Sequence, residues 1–229
     1  LEHPRVLYTP ADIERARKNL ADDGPAWAKK IHQDTLNRAN RPVWMGLPDR
    51  AIRNLMPKPY SYYMYEISSV CPDGTKMSPA GWSAPGKVMC GSGRMLPNAE
   101  HPDDGTGWKD AQGNTHYFVA RWNGFVIDDF TKGLEPLAYA YVLSGDIKYA
   151  HTAAVILDAI ATIYPTAVKG PLNYPGLSPG REGGRLDRPY YQAARRLLWY
   201  VNAVDLIWNS GELDLPSPTN PALTIKENV

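Results

Sequence analysis

One stretch constrains this chain more than any other: 121–165, RWNGFVIDDFTKGLEPLAYAYVLSGDIKYAHTAAVILDAIATIYP. Ile127, Phe130, Leu134, Leu137 and Tyr141 recur at helical spacing, and so do Tyr149, Ala153, Ile156, Ile160 and Ile163. Each set covers one face of a 3.6-residue helix. Gly145 suits the left-handed position that ends a helix, Asp146 can cap the next, and Pro165 lies just past its end. So short a connection predicts an antiparallel helical hairpin. Pro136 removes one helix donor and predicts a kink or a new segment within the first arm.

Helical signals flank this hairpin on both sides. Thr9 or Pro10 opens a helix to about Leu20, Pro25 suits the first turn of another to about Asn40, and a third spans about 48–55. Asp187 caps a long helix to about Trp208, with Pro189 in its first turn and an apolar stripe of Tyr190, Ala194, Leu197, Val201, Val204 and Trp208. Residues 216–221 read as a linker, and 223–229 as the first turn of a helix.

Between these helices, 56–113 changes character. Pro and Gly recur every few residues, and no helical stripe survives. So long an irregular stretch is either functional or a surface excursion; an insertion packed over a cleft is the preferred reading. Residues 116–122 alternate weakly and predict a strand leading into the hairpin. A second Gly/Pro-rich loop covers 170–184.

Formal net charge is +1, from 25 Lys and Arg against 24 Asp and Glu. The overall field therefore gives no support to a nucleic-acid or anionic-membrane partner. No apolar run reaches the ~20 residues of a membrane-spanning helix. The chain starts at Leu1 rather than Met, which predicts a processed or trimmed N-terminus. Seven Trp and 14 Tyr stand against 3 Phe; such amphipathic rings serve sugar-binding clefts as well as half-buried packing. Cys71 and Cys90 fall in the irregular region. A disulfide there would close a loop of roughly 20 residues and contribute about 3 kcal/mol in the chain-entropy model. Half of a zinc site is the alternative, although two cysteines without C-x-x-C spacing supply too few ligands.

The residues resemble the N-terminal helical portion of heparinase II/III-like polysaccharide lyases. The carriers are the lead His3-Pro4-Arg5-Val6-Leu7-Tyr8-Thr9-Pro10 and the segment 137–146, LAYAYVLSGD, with Tyr149 and the tail 160–165, IATIYP. Gly184-Arg185-Leu186 followed by Ala203-Val204-Asp205-Leu206 adds to them, although the family more often shows Ala-Tyr-Asp-Leu. Cys71-Pro72 and Cys90-Gly91 are similar to a cysteine-bearing loop of some members. The resemblance covers roughly half the chain.

What the resemblance implies is an all-α fold, an incomplete (α/α) toroid with residues 1–229 as its N-terminal part and 56–113 as a loop-rich insertion. Further toroid helices and a β-sandwich domain would lie outside this chain. Such lyases cleave uronic-acid-containing polysaccharides of the heparin, heparan sulfate, alginate or ulvan type by β-elimination. Asn, His or Arg neutralises the uronate carboxylate, a Tyr or His base removes the C5 proton, and a Tyr protonates the leaving oxygen. The main catalytic Asn/His and Tyr are expected after Val229. The resemblance implies no cofactor in this chain, with any structural metal belonging to the C-terminal domain. It implies an acidic polysaccharide as substrate, a companion chain or C-terminal remainder as partner, and a periplasmic or secreted location.

Within the chain, the candidate substrate-binding residues are Trp122, Asn123, Arg181, Arg185, Arg188, Tyr191, Gln192 and His116. Asn123 can hydrogen-bond a sugar, but Asn123-Gly124 also reads as a turn or cap. The three arginines can bind carboxylate or sulfate bidentately, or be solvated loop residues. His116 is a lone histidine, Asp205 reads as a buried hydrogen-bonding residue, and His151 as a residue on an exposed helix face. A glycoside hydrolase is the nearest rival enzyme; it requires two carboxyl groups across a cleft, and no spacing pairs Asp128, Asp129 and Glu182. A non-catalytic carbohydrate-binding domain is the rival from another class.

Overall fold

The central hairpin forms around Gly145, whose φ is +75° and whose N–H donates to the Tyr141 carbonyl at 2.7 Å. Glycine tolerates that left-handed stop at no steric cost. Asp146 then accepts the Lys148 N–H at 3.2 Å and caps the second arm. The computed structural model describes residues 2–64, 69–167, 186 and 190–229, the side chains of 190–192 excepted.

Its α-helices are α1 (Pro10–Lys18), α2 (Ala26–Ala39), α3 (Asp49–Leu55), α4 (Phe118–Ser144), α5 (Ile147–Ile163), α6 (Tyr190–Ile207) and α7 (Ile225–Asn228). Among the described residues, five strands lie between α3 and α4: β1 (Met77–Pro79), β2 (Val88–Cys90), β3 (Met95–Leu96), β4 (Trp108–Lys109) and β5 (Thr115–His116). They form two antiparallel sheets, β1-β2-β3 and β4-β5.

An all-α, incomplete (α/α) toroid is therefore not what this chain forms. About 51% of the described residues are helical, and the two sheets make the fold mixed α/β. The physical reason is strand length. Strands of two or three residues are too short to show a period of two, and their pairing depends on the turns that join them, at 80–87 between β1 and β2, at Gly93 between β2 and β3 and at Gly113 between β4 and β5. Residues 116–122 do not make the expected strand either, because β5 ends at His116 and α4 begins at Phe118.

Two compact units divide the chain. One comprises Leu1–Leu55, Asp129–Thr162 and Arg196–Val229; the other comprises Met56–Asp128 and Ile163–Arg195. The second unit has its own core of Cys71, Met77, Val88, Cys90, Leu96 and Phe118, with Trp108 packed against it. Cys71 and Cys90 form a disulfide within that core.

In the first unit, Phe130, Leu134 and Leu137 of α4 are fully buried, and so are Ala153 and Ile156 of α5. α4 runs through Pro136 as one helix, so the expected new segment does not form. α5 is buried on every side from Thr152 to Ile160, which accounts for its high apolar content. Its one buried carboxylate, Asp158, accepts Thr219 Oγ1 and Asn228 Nδ2, both at 2.8 Å. These bonds dock the C-terminal segment, where a Thr224–Glu227 capping box starts α7. α6 departs from its expected stripe: Leu197 and Val201 are about half exposed, whereas Arg196, Asn202, Ala203, Leu206 and Ile207 are buried.

His151 is not simply an exposed residue on a helix face. Its Nδ1 lies 2.7 Å from Glu212 and its Nε2 3.1 Å from Asp49, so two carboxylates flank one ring. Burial opposes protonation, but the bonds to Glu212 and Asp49 outweigh it and raise the pKa above the ordinary histidine value. A raised folded-state pKa stabilises fully below the unfolded value near 6.5, and the contribution fades as pH rises through the folded value. Urea unfolding at pH 5.5 and pH 8.5 should therefore show His151→Gln losing more stability at the lower pH. An equal loss at both would contradict the ion pair.

Candidate functional site

α4 turns a polar break in its apolar pattern toward the end of α2. Thr131, Lys132, Glu135 and Pro136 line a cavity of about 270 Å³ with Arg38, Arg41, Trp44, Asp129 and, from α6, Trp199. All of these residues belong to the first unit. The spacing of 131/132 and 135/136 puts the α4 members on one face.

Arg41 forms the fixed wall. Its two terminal nitrogens reach the two Asp129 oxygens at 2.7 and 2.8 Å, a bidentate pair. The guanidinium also lies 4.5 Å from the centre of the Trp44 ring, a favourable stack of cation on aromatic face. Trp44 is held in turn, donating its indole N–H to the Ala39 carbonyl at 2.8 Å and packing on Phe130. Thr131 Oγ1 and the Tyr200 hydroxyl, 2.9 Å apart, tie α4 to α6.

With Arg41 committed to Asp129, Arg38 and Lys132 are the exposed cations of the cavity. Arg38 makes no hydrogen bond or ion pair among the described residues. Glu135 accepts from the Tyr139 hydroxyl at 3.1 Å, and that hydroxyl lies 2.9 Å from the hydroxyl of Tyr8. Burial, the hydrogen bond with Tyr8 and the Glu135 charge all push the Tyr139 phenol above its usual range, so it stays protonated. The set combines two cations, an aromatic ring and a carboxylate backed by a phenol donor. It suits a polar ring that carries negative charge.

The residues singled out from sequence lie elsewhere. Trp122 is buried against Trp82 and Phe125, with ring centres 5.4 and 5.2 Å away. Asn123 is neither a turn nor a cap; it lies inside α4 and donates to the Tyr62 carbonyl at 3.0 Å. His116 has one ring nitrogen 3.2 Å from the Val70 carbonyl and the other 3.1 Å from Asp110. Asp110 is held down at a pKa of about 2 by Asn114, with His116 and backbone donors adding to the effect against burial. Arg181, Arg185 and Arg188 lie outside the described residues; Tyr191 and Gln192 fall in the first turn of α6, with their side chains outside them as well.

Against known proteins, the chain matches no family model, no curated protein and no solved structure. The site must be read from its own residues.

Sequence reasoning passed over Arg38, Arg41, Lys132, Glu135 and Trp199. A signal for part of the set exists: Arg38 and Arg41 are three apart at the end of α2, and Lys132, Glu135 and Pro136 interrupt an apolar stripe. Trp199 gives none, because only the packing of α6 brings it to the cavity. The one group of metal-type ligands among the described residues, Cys71, Asp73 and Cys90, has both sulfurs in the disulfide. It offers no thiolate pair, so half of a zinc site is not formed there. Among the described residues, no helix is long and apolar enough to cross a membrane.

Proposed function

We propose that this chain binds an acidic sugar at the cavity of Arg38, Lys132 and Trp199. We further propose that it serves a lyase cleaving uronic-acid-containing polysaccharides, of the heparin, heparan sulfate, alginate or ulvan type, by β-elimination. The observation that carries the reading is the lining itself: exposed cations beside an indole, with a second guanidinium already locked by Asp129.

β-Elimination begins by offsetting the charge of the uronate carboxylate, which makes the C5 proton acidic. A base takes that proton, the C4–O bond breaks, and the departing oxygen is protonated, leaving an unsaturated uronate. Arg38 and Lys132 have the chemistry for the first requirement, and Trp199 offers an apolar face for a pyranose ring. A hydrolase is less well supported. Asp129, one of the two carboxylates in the cavity, is committed to Arg41, and a hydrolase needs two working carboxyl groups. The Cys71–Cys90 disulfide is compatible with the periplasmic or secreted location proposed here.

The test is to incubate the full polypeptide with heparan sulfate, alginate and ulvan while following near-ultraviolet absorbance of unsaturated product. Arg38→Ala and Trp199→Ala should each weaken binding of uronate oligomers by about tenfold, the loss expected for one charge-assisted bond or one stacked ring. Binding without absorbance change would replace the lyase with a carbohydrate-binding domain. Neither binding nor product would remove both.

A further inference from the structure

A second cavity, of about 470 Å³, lies farther along α4 in the same unit, lined in part by Leu7, Tyr8, Ile13, Ala16, Asn19 and Tyr139. It continues the face that lines the first. Lys132, Glu135, Tyr139, Val142 and Leu143 recur at spacings of three and four, so they form one row on the helix. The Tyr139–Glu135 bond joins the two cavities, because Glu135 lines the first and Tyr139 the second.

The ends differ in charge. The first cavity carries Arg38 and Lys132. In the second, Asp12 and Arg15 pair with each other, leaving the Tyr8 and Tyr139 hydroxyls, Asn19 and apolar side chains. From Lys132 to Leu143 the row spans about 16 Å at 1.5 Å per residue, room for about three pyranose rings end to end.

We propose that the two cavities are subsites of one groove for a linear acidic oligosaccharide. An acidic unit sits at the Arg38 and Lys132 end, and the next units lie across Tyr139 and Tyr8. Leu7, Ile13 and Val142 suit the C–H faces of sugar rings, while the two phenols and Asn19 suit their hydroxyls. Arg17 Nε donates to the Val142 carbonyl at 2.7 Å and fastens α1 along the far wall. The proposal rests on the acidic-sugar reading and adds a direction and a length to it.

Calorimetry of the full chain with (1→4)-linked oligouronates of two, four and six units tests it. Affinity should rise about tenfold from dimer to tetramer and then level off. Ala16→Trp, which fills the second cavity, should erase that gain; Asn19→Trp is a second variant with the same expectation, and melting curves would show that each is folded. Equal affinity at all three lengths in the unmodified chain would overturn the proposal, as would the full gain persisting in both folded variants. If Arg38→Ala still weakened every length in that case, the acidic-sugar site would stand and only the extended groove would fall. Failure of every oligouronate to bind would sink both.

Discussion

Asp205→Ala should cost this protein about 3–5 kcal/mol, the range for removing the buried charged partner of a hydrogen-bonded network. Asp205 is 3% exposed. It accepts from His3 Nδ1 at 2.5 Å, from the Arg5 N–H at 2.7 Å and from the Val6 N–H at 2.8 Å. The His3 ring stacks on Trp208 at 4.6 Å, and Asn209 donates to the His3 carbonyl at 3.0 Å. One carboxylate on α6 thus holds His3, Arg5 and Val6 of the N-terminal lead at once. Alanine would leave two backbone donors and an imidazole without their acceptor, and the lead should detach.

The damage should reach the second cavity, because Leu7 and Tyr8 belong to that lead. Asp205→Asn keeps the shape and an acceptor oxygen, so it should cost only about 1–2 kcal/mol. Burial raises the Asp205 pKa, but the bonds from His3, Val6 and Arg5 outweigh it and hold it below the usual range. A lowered folded-state pKa gives stability that is present above the unfolded value and lost as pH falls through the folded one. Denaturant unfolding from pH 7 down to pH 3 should show the gap between wild type and Asp205→Ala narrowing. Proteolysis near the N-terminus should become faster in the variant at neutral pH. An alanine variant within 1 kcal/mol of wild type would mean that the lead is held by something else.

Gly124→Ala is the second large effect, and here two local rules predict opposite signs. Alanine inside a helix is normally better than glycine by about 1 kcal/mol. At Gly124, however, an added Cβ would stand 2.2 Å from the Met64 carbonyl oxygen. The clash is with backbone, and that backbone is fixed: the Met64 N–H donates to the Ala120 carbonyl at 2.9 Å, and Asn123 holds the Tyr62 carbonyl. Tyr63 and Met64 are both buried. The substitution should therefore destabilise by about 2–3 kcal/mol despite its helix propensity, with the 62–64 segment displaced. Thermal unfolding read by tryptophan fluorescence suits the test, since Trp82 and Trp122 pack in the same unit. A gain in stability would show that the segment yields freely.

Gly124 also illustrates what was legible in the chain. From sequence, Asn123-Gly124 read as a turn, a cap or a substrate contact. The glycine is required by a neighbour some sixty residues away in sequence, which local pattern does not reveal. Trp122 and His116 present the same difficulty. Their residue types suit sugar binding, but the structure gives each an internal partner set, and a residue type does not declare which use it serves. Arg41 is the converse case. Nothing in its local sequence shows its partner, yet it forms the wall of the candidate site, because α4 brings Asp129 to it from 88 positions away. The α6 stripe misled for a related reason: Asp205 is buried there while Leu197 and Val201 are not, since a polar group with partners can occupy a core face.

The sequence by itself determined the helical hairpin. Stripes at 3.6-residue spacing, a glycine stop and an aspartate cap are local, and each acts within one or two turns of its own position. The left-handed φ of Gly145 and the full burial of Phe130, Leu134, Ala153 and Ile156 follow from them. Only the tertiary structure decided the rest. The anchoring of the lead by Asp205 and the assembly of Arg38, Lys132 and Trp199 join residues far apart in the chain. Their energies depend on burial and on partners brought in by packing, and neither quantity is carried by any one segment of sequence.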